Sequence, residues 1–484
     1  MNLQVCEPAA LLIDFGSTYT KLRAVGLETG AILGAGQGPS TVTTDVNRGL
    51  DAALKDLESH LGGLPEFRHR LASSSAAGGL RMVTVGLVKE LTAEAARRAA
   101  LGAGAKLVGT FAYRLTRADL AEIENLAPDI LLLAGGTDGG NAEVVLHNAE
   151  ALAGAELGGP VIYAGNRTAA DEVADILDRG GKTVVVAGNV MPEFNVLNIE
   201  PARAAIRGVF IDRIVHAKGI DRAAGRFDAV MMPTPAAVLE GARLLAQGTA
   251  SQPGLGELLV VDIGGATTDV HSVAKGDPSR EGVIVHGLPE PFAKRTVEGD
   301  LGMRHNARAI VDLAGAAAVA ADAGLDEDRV EALLAAIDAD VERLPQTDEE
   351  HAFDRALARA AVTQAVARHA GTVKVVQTVT GPATLQEGKD LGRVETVIGT
   401  GGALAHGRDP ADVLAAALAD PGDPSSLRPR APRFLIDREY LLYAVGLLVE
   451  PAPEAALKLG LAHLSDVTPQ TTGGAAHERA IHVG

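Results

Sequence analysis

An apolar strand that ends in an aspartate and turns at once through glycine and hydroxyl residues occurs twice in this sequence. The first copy runs from Leu11, Leu12 and Ile13 into residues 14–21, Asp-Phe-Gly-Ser-Thr-Tyr-Thr-Lys. The second runs from residues 258–261 into residues 262–269, Asp-Ile-Gly-Gly-Ala-Thr-Thr-Asp. Short β-rich runs follow each copy, so both predict a strand, a tight polar bend and returning strands. This repeat favours two similar domains, each with an acidic bend.

Each bend has the chemical parts of a phosphate site. Phosphate bound at a tight turn needs backbone N–H groups directed at it, small residues that let the chain approach, and a hydroxyl or a cation. In the first bend Gly16 permits the approach and Lys21 can place an ammonium near a β- or γ-phosphate. The predicted phosphate-binding residues are Gly16, Ser17, Thr18 and Lys21 in the first bend, and Gly264, Gly265, Thr267 and Thr268 in the second.

The aspartates of the two bends predict a magnesium site. Asp14 and Asp262 end apolar strands, where a carboxylate adds nothing to core packing but is well placed to orient Mg²⁺ through its water shell. If the bends face each other, Asp14, Asp262 and Asp269 lie on the metal side of a triphosphate, and Asp14 and Asp262 act in catalysis by positioning metal and water. The alternative is two ordinary hairpin turns, in which Asp14 caps its own turn and Lys21 points to solvent.

Two more glycine-rich segments follow apolar strands. Residues 135–141, Gly-Gly-Thr-Asp-Gly-Gly-Asn, form an amide-rich corner at the carboxyl end of a strand, where α/β folds place ligands. There Asp138 or Thr137 could orient a water molecule that attacks the γ-phosphate. The alternative is that the loop only caps the following helix, with Asn141. Residues 399–402, Gly-Thr-Gly-Gly, could pass for a dinucleotide loop but have no acidic partner about 20 residues on that clearly ends a strand.

The chain is long enough for several domains. Its 484 residues correspond to roughly three domains' worth of chain. Strands alternate with helices up to about residue 285, which predicts the α/β class, and residues 303–369 read as an Ala-rich helical subdomain. We predict a first domain at residues 1–150, an inserted α/β segment at 151–250, a second domain at 251–465 and a mobile tail at 466–484.

Composition excludes several function classes. The net charge of −18 and the pI near 5.2 argue against nucleic acid and anionic membranes as partners. Apolar runs stop well short of the ~18 residues that span a bilayer. Cys6 is the single cysteine, no His/Cys spacing fits structural zinc, and no leader opens the chain, so we expect a reducing, cytoplasmic location. No Gly-x-x-x-x-Gly-Lys-Ser/Thr segment is present, which argues against a P-loop enzyme.

The two bends resemble the phosphate loops of the superfamily of actin, the 70-kDa heat-shock proteins and sugar kinases. Residues 399–403 look like its adenosine motif, and the three segments occur in the superfamily's order. The resemblance implies two ribonuclease-H-like domains with ATP or ADP and Mg²⁺ in the cleft between them. It also implies that Gly399, Gly401 and Gly402 contact the nucleotide. One departure is Ala266, which stands where the superfamily often has a third glycine.

A narrower resemblance is to the ATPase accessory proteins of adenosylcobalamin-dependent glutamate mutase and related aminomutases. It is carried above all by residues 135–141 and by residues 295–304, Arg-Thr-Val-Glu-Gly-Asp-Leu-Gly-Met-Arg, and matching segments span most of the chain. In the superfamily a helix that touches the nucleotide begins near the second segment. The resemblance therefore implies that Glu298 accepts from the ribose hydroxyls; the alternative is stabilisation of a helix start.

The resemblance implies a chaperone that uses ATP hydrolysis to reactivate an adenosylcobalamin-dependent mutase by promoting release of damaged cobalamin. Its partners would be the mutase subunits, and its oligomeric state is left open. Phosphoryl transfer to water needs mostly positioning and charge neutralisation, so no covalent intermediate is expected. The alternatives are a small-molecule kinase of the same superfamily and a filament-forming protein like actin.

Overall fold

A computed structural model of the chain describes residues 7–16, 19–41, 45–75, 80–217, 228–379 and 381–469. Ser17 and Thr18 of the first bend, Cys6 and most of the predicted tail lie outside the described residues. The strands are β1 Ala9–Phe15, β2 Tyr19–Gly26, β3 Ile32–Pro39, β4 Phe67–Ser74, β5 Arg81–Gly86, β6 Lys106–Ala112, β7 Ile130–Leu133, β8 Val161–Tyr163, β9 Val184–Val186, β10 Ala229–Pro233, β11 Leu258–Ile263, β12 Thr268–Val273, β13 Val283–His286, β14 Ala293–Glu298, β15 Thr372–Thr378, β16 Gly381–Glu387, β17 Thr396–Thr400, β18 Arg433–Asp437 and β19 Leu464–Asp466.

The helices alternate with these strands. They are α1 Val46–Leu61, α2 Glu94–Gly102, α3 Arg117–Leu126, α4 Glu143–Ala153, α5 Ala170–Arg179, α6 Glu200–Ala217, α7 Thr234–Gln247, α8 Ala307–Ala314, α9 Ala316–Ala323, α10 Glu327–Ala339, α11 Asp348–His369, α12 Gly402–Ala405, α13 Pro410–Ala415, α14 Leu442–Leu448 and α15 Pro453–His463. No helix within the described ranges is both long and apolar enough to cross a bilayer.

The same strand order occurs in two sheets. The first sheet has the order β3-β2-β1-β4-β10, and the second has β14-β12-β11-β17-β18-β19. In each sheet three neighbouring strands pair antiparallel. The earliest of the three in the chain, β1 or β11, also pairs in parallel with a later strand, β1 with β4 and β11 with β17. The predicted α/β class with two ribonuclease-H-like domains is therefore confirmed. Each acidic bend lies at the carboxyl end of the central strand of its sheet.

An inserted α/β unit interrupts the first domain. Its strands β5 to β9 form an all-parallel sheet in the order β6-β5-β7-β8-β9. The predicted domain boundaries at residues 150 and 250 stay a prediction, but the strands of the insert run from Arg81 to Val186 and β10 then returns to pair with β4. The predicted helical subdomain is present as α8 to α11, which pack Phe353, Leu333 and Ile310 against the second sheet.

The two domains share one apolar core beneath the bends. It joins Leu12 of β1 to Val260 of β11 through helices α7 and α14. The helices approach closely because glycines face each other: a Cβ at Gly446 would lie 1.8 Å from the Ala237 carbonyl oxygen, and one at Gly241 would lie 2.5 Å from that of Leu442. This shared core fixes the ends of β1 and β11 near each other.

Candidate functional site

The two acidic bends have the same backbone geometry. The Gly16 N–H donates to the Tyr19 carbonyl at 3.0 Å, and the Gly264 N–H donates to the Thr267 carbonyl at 2.9 Å. In the returning strand Lys21 pairs with Asp14, whereas Asp269 pairs with Asp262. The bends are therefore structural equivalents that differ in one position: an ammonium faces the first aspartate and a carboxylate faces the second.

The first bend holds its aspartate with hydroxyl groups. The Asp14 carboxylate is only 9% exposed and accepts hydrogen bonds from Ser73 Oγ at 3.1 Å and Thr234 Oγ1 at 2.6 Å. Burial raises the pKa of Asp14, while these hydroxyls and the Lys21 ammonium oppose the rise. The strand β4 and the start of α7 thus orient this carboxylate, so it is more than a local turn cap.

The second bend concentrates negative charge. Burial raises the pKa of Asp262 to about 7, and the neighbouring carboxylates of Asp269 and Asp437 add to the rise. The cations Arg295 and Lys21 oppose it without cancelling it. A bound divalent cation would favour the ionised carboxylate, so this is the point of the site with the strongest electrostatic demand for Mg²⁺.

Asp269 forms an ion pair with a buried arginine, Arg295. The Arg295 guanidinium donates from Nε to Asp269 Oδ1 at 2.8 Å and from Nη1 to the carbonyl oxygens of Leu101 at 3.0 Å and Ala105 at 3.1 Å. Arg295 is only 5% exposed. One side chain therefore ties the second bend to the end of α2 and the start of β6, which belong to the insert.

The carboxylates suit a hydrated magnesium ion held by few protein ligands. No group of three or more His, Cys, Asp or Glu side chains in the described ranges has the geometry of a metal site. Mg²⁺ commonly keeps several waters and takes one or two carboxylates together with substrate phosphates. Asp262 meets that requirement, whereas Asp269 already binds Arg295, and the metal roles of Asp14, Asp262 and Asp269 stay predictions.

Lys21 of the first bend contacts the second domain. Its Nζ lies 4.4 Å from the centre of the Tyr440 ring, which belongs to the second domain. Burial raises the pKa of both Asp14 and Asp262, and the positive charge of Lys21 opposes that larger effect. Beside Lys21, Arg23 Nη2 donates to the Glu439 carbonyl at 3.0 Å. Lys21 has no carboxylate within ion-pair distance in the part of the chain that the structure describes, so its ammonium is available to a phosphate.

Gly401 brings the third motif against the second bend. Its φ is +90°, and a Cβ there would lie 2.3 Å from the Ile263 carbonyl oxygen and 2.8 Å from Asp262 Oδ1. Gly402 is exposed at the start of α12. Gly399 differs, because a Cβ there would meet the buried side chains of Ile436, Leu404 and Leu414. The structure gives Gly399 a packing role inside β17, so its predicted contact with the nucleotide has no support in this geometry.

A cavity of about 610 Å³ opens beside the second bend. This volume is typical of small-molecule sites. Arg304, just before α8, donates to both carboxylate oxygens of Asp354 of α11 at 3.0 and 2.6 Å. The lining includes Gly264, Gly265, Met303, Arg304, His351, Ala352, Asp354, Gly402, His406 and Arg408. Both glycine motifs of the second domain therefore border one cavity of a size suited to a nucleoside.

The hydroxyls of the second bend are already bonded within the protein. Thr268 is fully buried, and its Oγ1 donates to the Leu301 carbonyl at 2.7 Å. Thr267 Oγ1 donates to Asp269 Oδ2 at 3.2 Å. Because β12 alternates its side chains, Thr268 faces the core and not the cavity. The predicted contact between the Thr268 side chain and phosphate therefore has no support here, and the ligand side of this bend is its backbone.

Two predicted residues lie away from this cavity. Glu298 accepts from Arg368 Nη1 at 2.8 Å and borders a different cavity, next to the insert. Asp138 is exposed on the insert, where it accepts from the Arg167 N–H and from Asn189 Nδ2, both at 2.9 Å. The ribose contact of Glu298 and the water-orienting role of Asp138 stay predictions, and the structure brings neither residue to the lining beside the second bend.

Asp437 and Tyr440 belong to the site but are absent from the sequence predictions. Asp437 is 2% exposed and accepts from the N–H groups of Leu441 at 2.8 Å and Leu442 at 3.1 Å. Burial and the charges of Asp262 and Asp437 raise the pKa of Tyr440 to about 12. The available signal was an apolar strand, Phe-Leu-Ile, that ends in an aspartate, as at the two bends.

Comparisons with known proteins match nearly the whole chain. A protein-family model described as "MutL protein" matches residues 10–464. Protein MutL of Clostridium tetanomorphum is 47% identical over 452 residues, which cover 93% of this chain and 98% of that protein. Among solved structures, xylulose kinase from Bifidobacterium adolescentis is 13% identical with a TM-score of 0.33, covering 95% of this chain and 96% of that chain. A ligand-bound xylulose kinase from Lactobacillus acidophilus is 9% identical with a TM-score of 0.36, covering 95% and 92%.

The raised pKa of Asp262 predicts a pH-dependent stability. At pH values between the unfolded-state pKa of Asp262, near 3.8, and its folded-state pKa of about 7, the folded protein binds one proton more than the unfolded chain. Asp262 therefore lowers the free energy of unfolding as pH rises through this window, and its effect is constant above it. Thermal unfolding without nucleotide should show that Asp262→Asn raises Tm more at pH 8 than at pH 4.5. The same Tm difference at both pH values, as expected for exposed Asp171→Asn, would contradict the assignment.

Proposed function

The chain belongs to the MutL protein family, and we propose that it is an ATPase that binds Mg·ATP between its two domains and acts as a chaperone on an adenosylcobalamin-dependent mutase. The observation that carries the ATPase part is the contact of Lys21 with Tyr440 across the cleft. The equivalent geometry of the two bends and the cavity of nucleoside size beside the second bend also support it. The chaperone part rests on family membership and on the resemblance to mutase accessory proteins.

In this proposal, residues of both domains contact the nucleotide. The backbone of Gly16 and the Lys21 ammonium would hold phosphate oxygens from the first domain, and the backbone of Gly264 and Gly265 would hold them from the second. The adenosine would occupy the cavity bordered by His351 and His406. Magnesium, when bound, neutralises phosphate charge; Asp262 would hold it through its water shell, and Asp14 would orient water from the opposite wall.

Hydrolysis can do work on a partner only if the ATP and ADP states bind that partner with different affinities. A contact between nucleotide site and insert exists in Arg295, which binds Asp269 on one side and the α2–β6 carbonyls on the other. We propose that this contact couples the conformation of the insert to whether ATP or ADP is bound. A cytoplasmic location and mutase subunits as partners are part of the same proposal.

We expect the purified protein to hydrolyse ATP slowly and to be stimulated by a mutase. Phosphate release should be measured with Mg·ATP alone, with an adenosylcobalamin-dependent mutase carrying inactivated cobalamin, and with sugars or small acids. Stimulation by the mutase together with cobalamin release supports the chaperone. Turnover only with a sugar or acid supports a kinase of the same fold instead.

Removal of either strand-end carboxylate should abolish most hydrolysis. Asp14→Ala and Asp262→Ala should each lower turnover of Mg·ATP by at least about 10²-fold, as expected for loss of a group that positions charge in the transition state. Asp171→Ala, on the exposed surface of α5, is the matched control and should keep wild-type turnover. Wild-type rates in Asp14→Ala or Asp262→Ala would contradict the assignment of the site.

A bulky residue at Gly265 should block nucleotide binding without unfolding the chain. Gly265 is exposed, its φ is not positive, and a Cβ there has only the Arg304 side chain near it, at 3.7 Å. The protein therefore tolerates Gly265→Val, but its side chain occupies space beside the phosphates. Titration calorimetry with Mg·ADP should detect no binding, while Tm stays at the wild-type value. Unchanged affinity would show that this bend does not hold phosphate.

A further inference from the structure

A second cavity, of about 520 Å³, lies between the insert and the second domain. One wall is the run Lys106 to Thr110 of β6, and the facing wall is the part of β14 from Lys294 to Glu298, without Arg295. Arg97 and Leu101 of α2 and Arg368 of α11 also border it. Two strands from two different sheets thus border one cleft; we call it the edge cleft.

Both strands of the edge cleft are sheet edges. Within the described residues β6 pairs only with β5, and β14 pairs only with β12. The Ala274 N–H donates to the Phe292 carbonyl just before the β12–β14 ladder, so the alternation of antiparallel pairing directs the backbone of Val297 away from β12, whereas Arg295 is only 5% exposed. An open edge has unpaired N–H and C=O groups and is a template for an added strand.

Most of the charged side chains that border the edge cleft are basic. They include Arg97, Lys106, Lys294 and Arg368, and the single acidic one is Glu298. Lys294 pairs with Glu290 at 3.0 Å. Arg97 and Arg368 are held in place by Glu94 and Asp300. Lys106 is exposed and forms no ion pair recorded in the described ranges, so it is free to meet an incoming carboxylate.

We propose that the edge cleft binds an extended acidic segment of a partner protein as an added β-strand. Main-chain hydrogen bonds to an edge give such complexes their affinity, and alternate side chains give specificity. The five residues of β6 that border the cleft span roughly 17 Å at about 3.3 Å per residue, which fits an extended segment better than a single small anion. This inference goes beyond nucleotide hydrolysis and does not depend on it.

A second copy of this chain fits the cleft less well than an acidic partner. The sequence of β6 is Lys-Leu-Val-Gly-Thr-Phe-Ala, without an acidic residue. Pairing of two β6 edges would offer no carboxylate to Lys106, and opposite-charge pairs are among those that stabilise paired strands. An acidic segment would instead meet Lys106 and Arg97 with opposite charge.

The test uses the full-length protein without nucleotide and a fluorescein-labelled hexapeptide of alternating valine and glutamate. Fluorescence anisotropy should show saturable binding that weakens about tenfold or more in Lys106→Glu, equivalent to about 1.4 kcal/mol. Lys55→Glu, an exposed residue of α1, is the matched control and should bind as wild type. The same peptide N-methylated on alternate amides should lose binding, because it cannot donate to the edge.

Several results would overturn the proposal. They are no binding of the acidic peptide up to about 1 mM, equal binding by Lys106→Glu, equal binding of a valine–lysine peptide, or undiminished binding of the N-methylated peptide, which indicates simple anion binding. Concentration-dependent dimers in sedimentation that disappear in Lys106→Glu would assign the edge to a second copy instead. Because the Asp262→Ala variant should still bind the peptide, failure of the ATPase assignment can be told apart from failure of this one.

Discussion

The charge imbalance around Asp262 is the constraint on which the rest of the site depends. The carboxylates of Asp269 and Asp437 act on Asp262 from other strands of the same sheet, and Arg295 already forms an ion pair with Asp269. Lys21 comes from the other domain and is the remaining cation that acts on Asp262. In the proposed function a triphosphate would add negative charge to this place, so magnesium and Lys21 would both be needed for the nucleotide to bind. The electrostatics therefore make the site one that neither domain completes alone.

The fold supplies the geometry that this site needs. Each sheet ends its central strand in an aspartate, and the shared core under α7 and α14 holds those two strand ends together. Glycines at the helix crossing permit the close approach, while Gly401 lets the third motif lie against Asp262. Arg295 extends the same network to the insert. The second bend, the insert and the edge cleft are therefore connected through Arg295 and the strand β14 that carries it.

The local features of the site were predictable from the sequence, and the non-local ones were not. An apolar strand followed by Asp and Gly identifies Asp14 and Asp262 because the pattern is short and its geometry is local. Thr268 and Gly399 look equivalent to their neighbours in sequence, but strand alternation turns Thr268 to the core and packing surrounds Gly399. The pairing of β10 with β4 across a long intervening stretch is another non-local feature, which no local pattern reveals.

A crystal structure of the full chain grown with Mg·ADP tests the proposed nucleotide site most directly. We expect one nucleotide, with its phosphates between the Gly16 and Gly264 bends, its base in the cavity bordered by Met303 and His406, and Lys21 moved from the Tyr440 ring to a phosphate oxygen. Nucleotide bound elsewhere on the molecule, or held by one bend with Lys21 still on the ring, would contradict it.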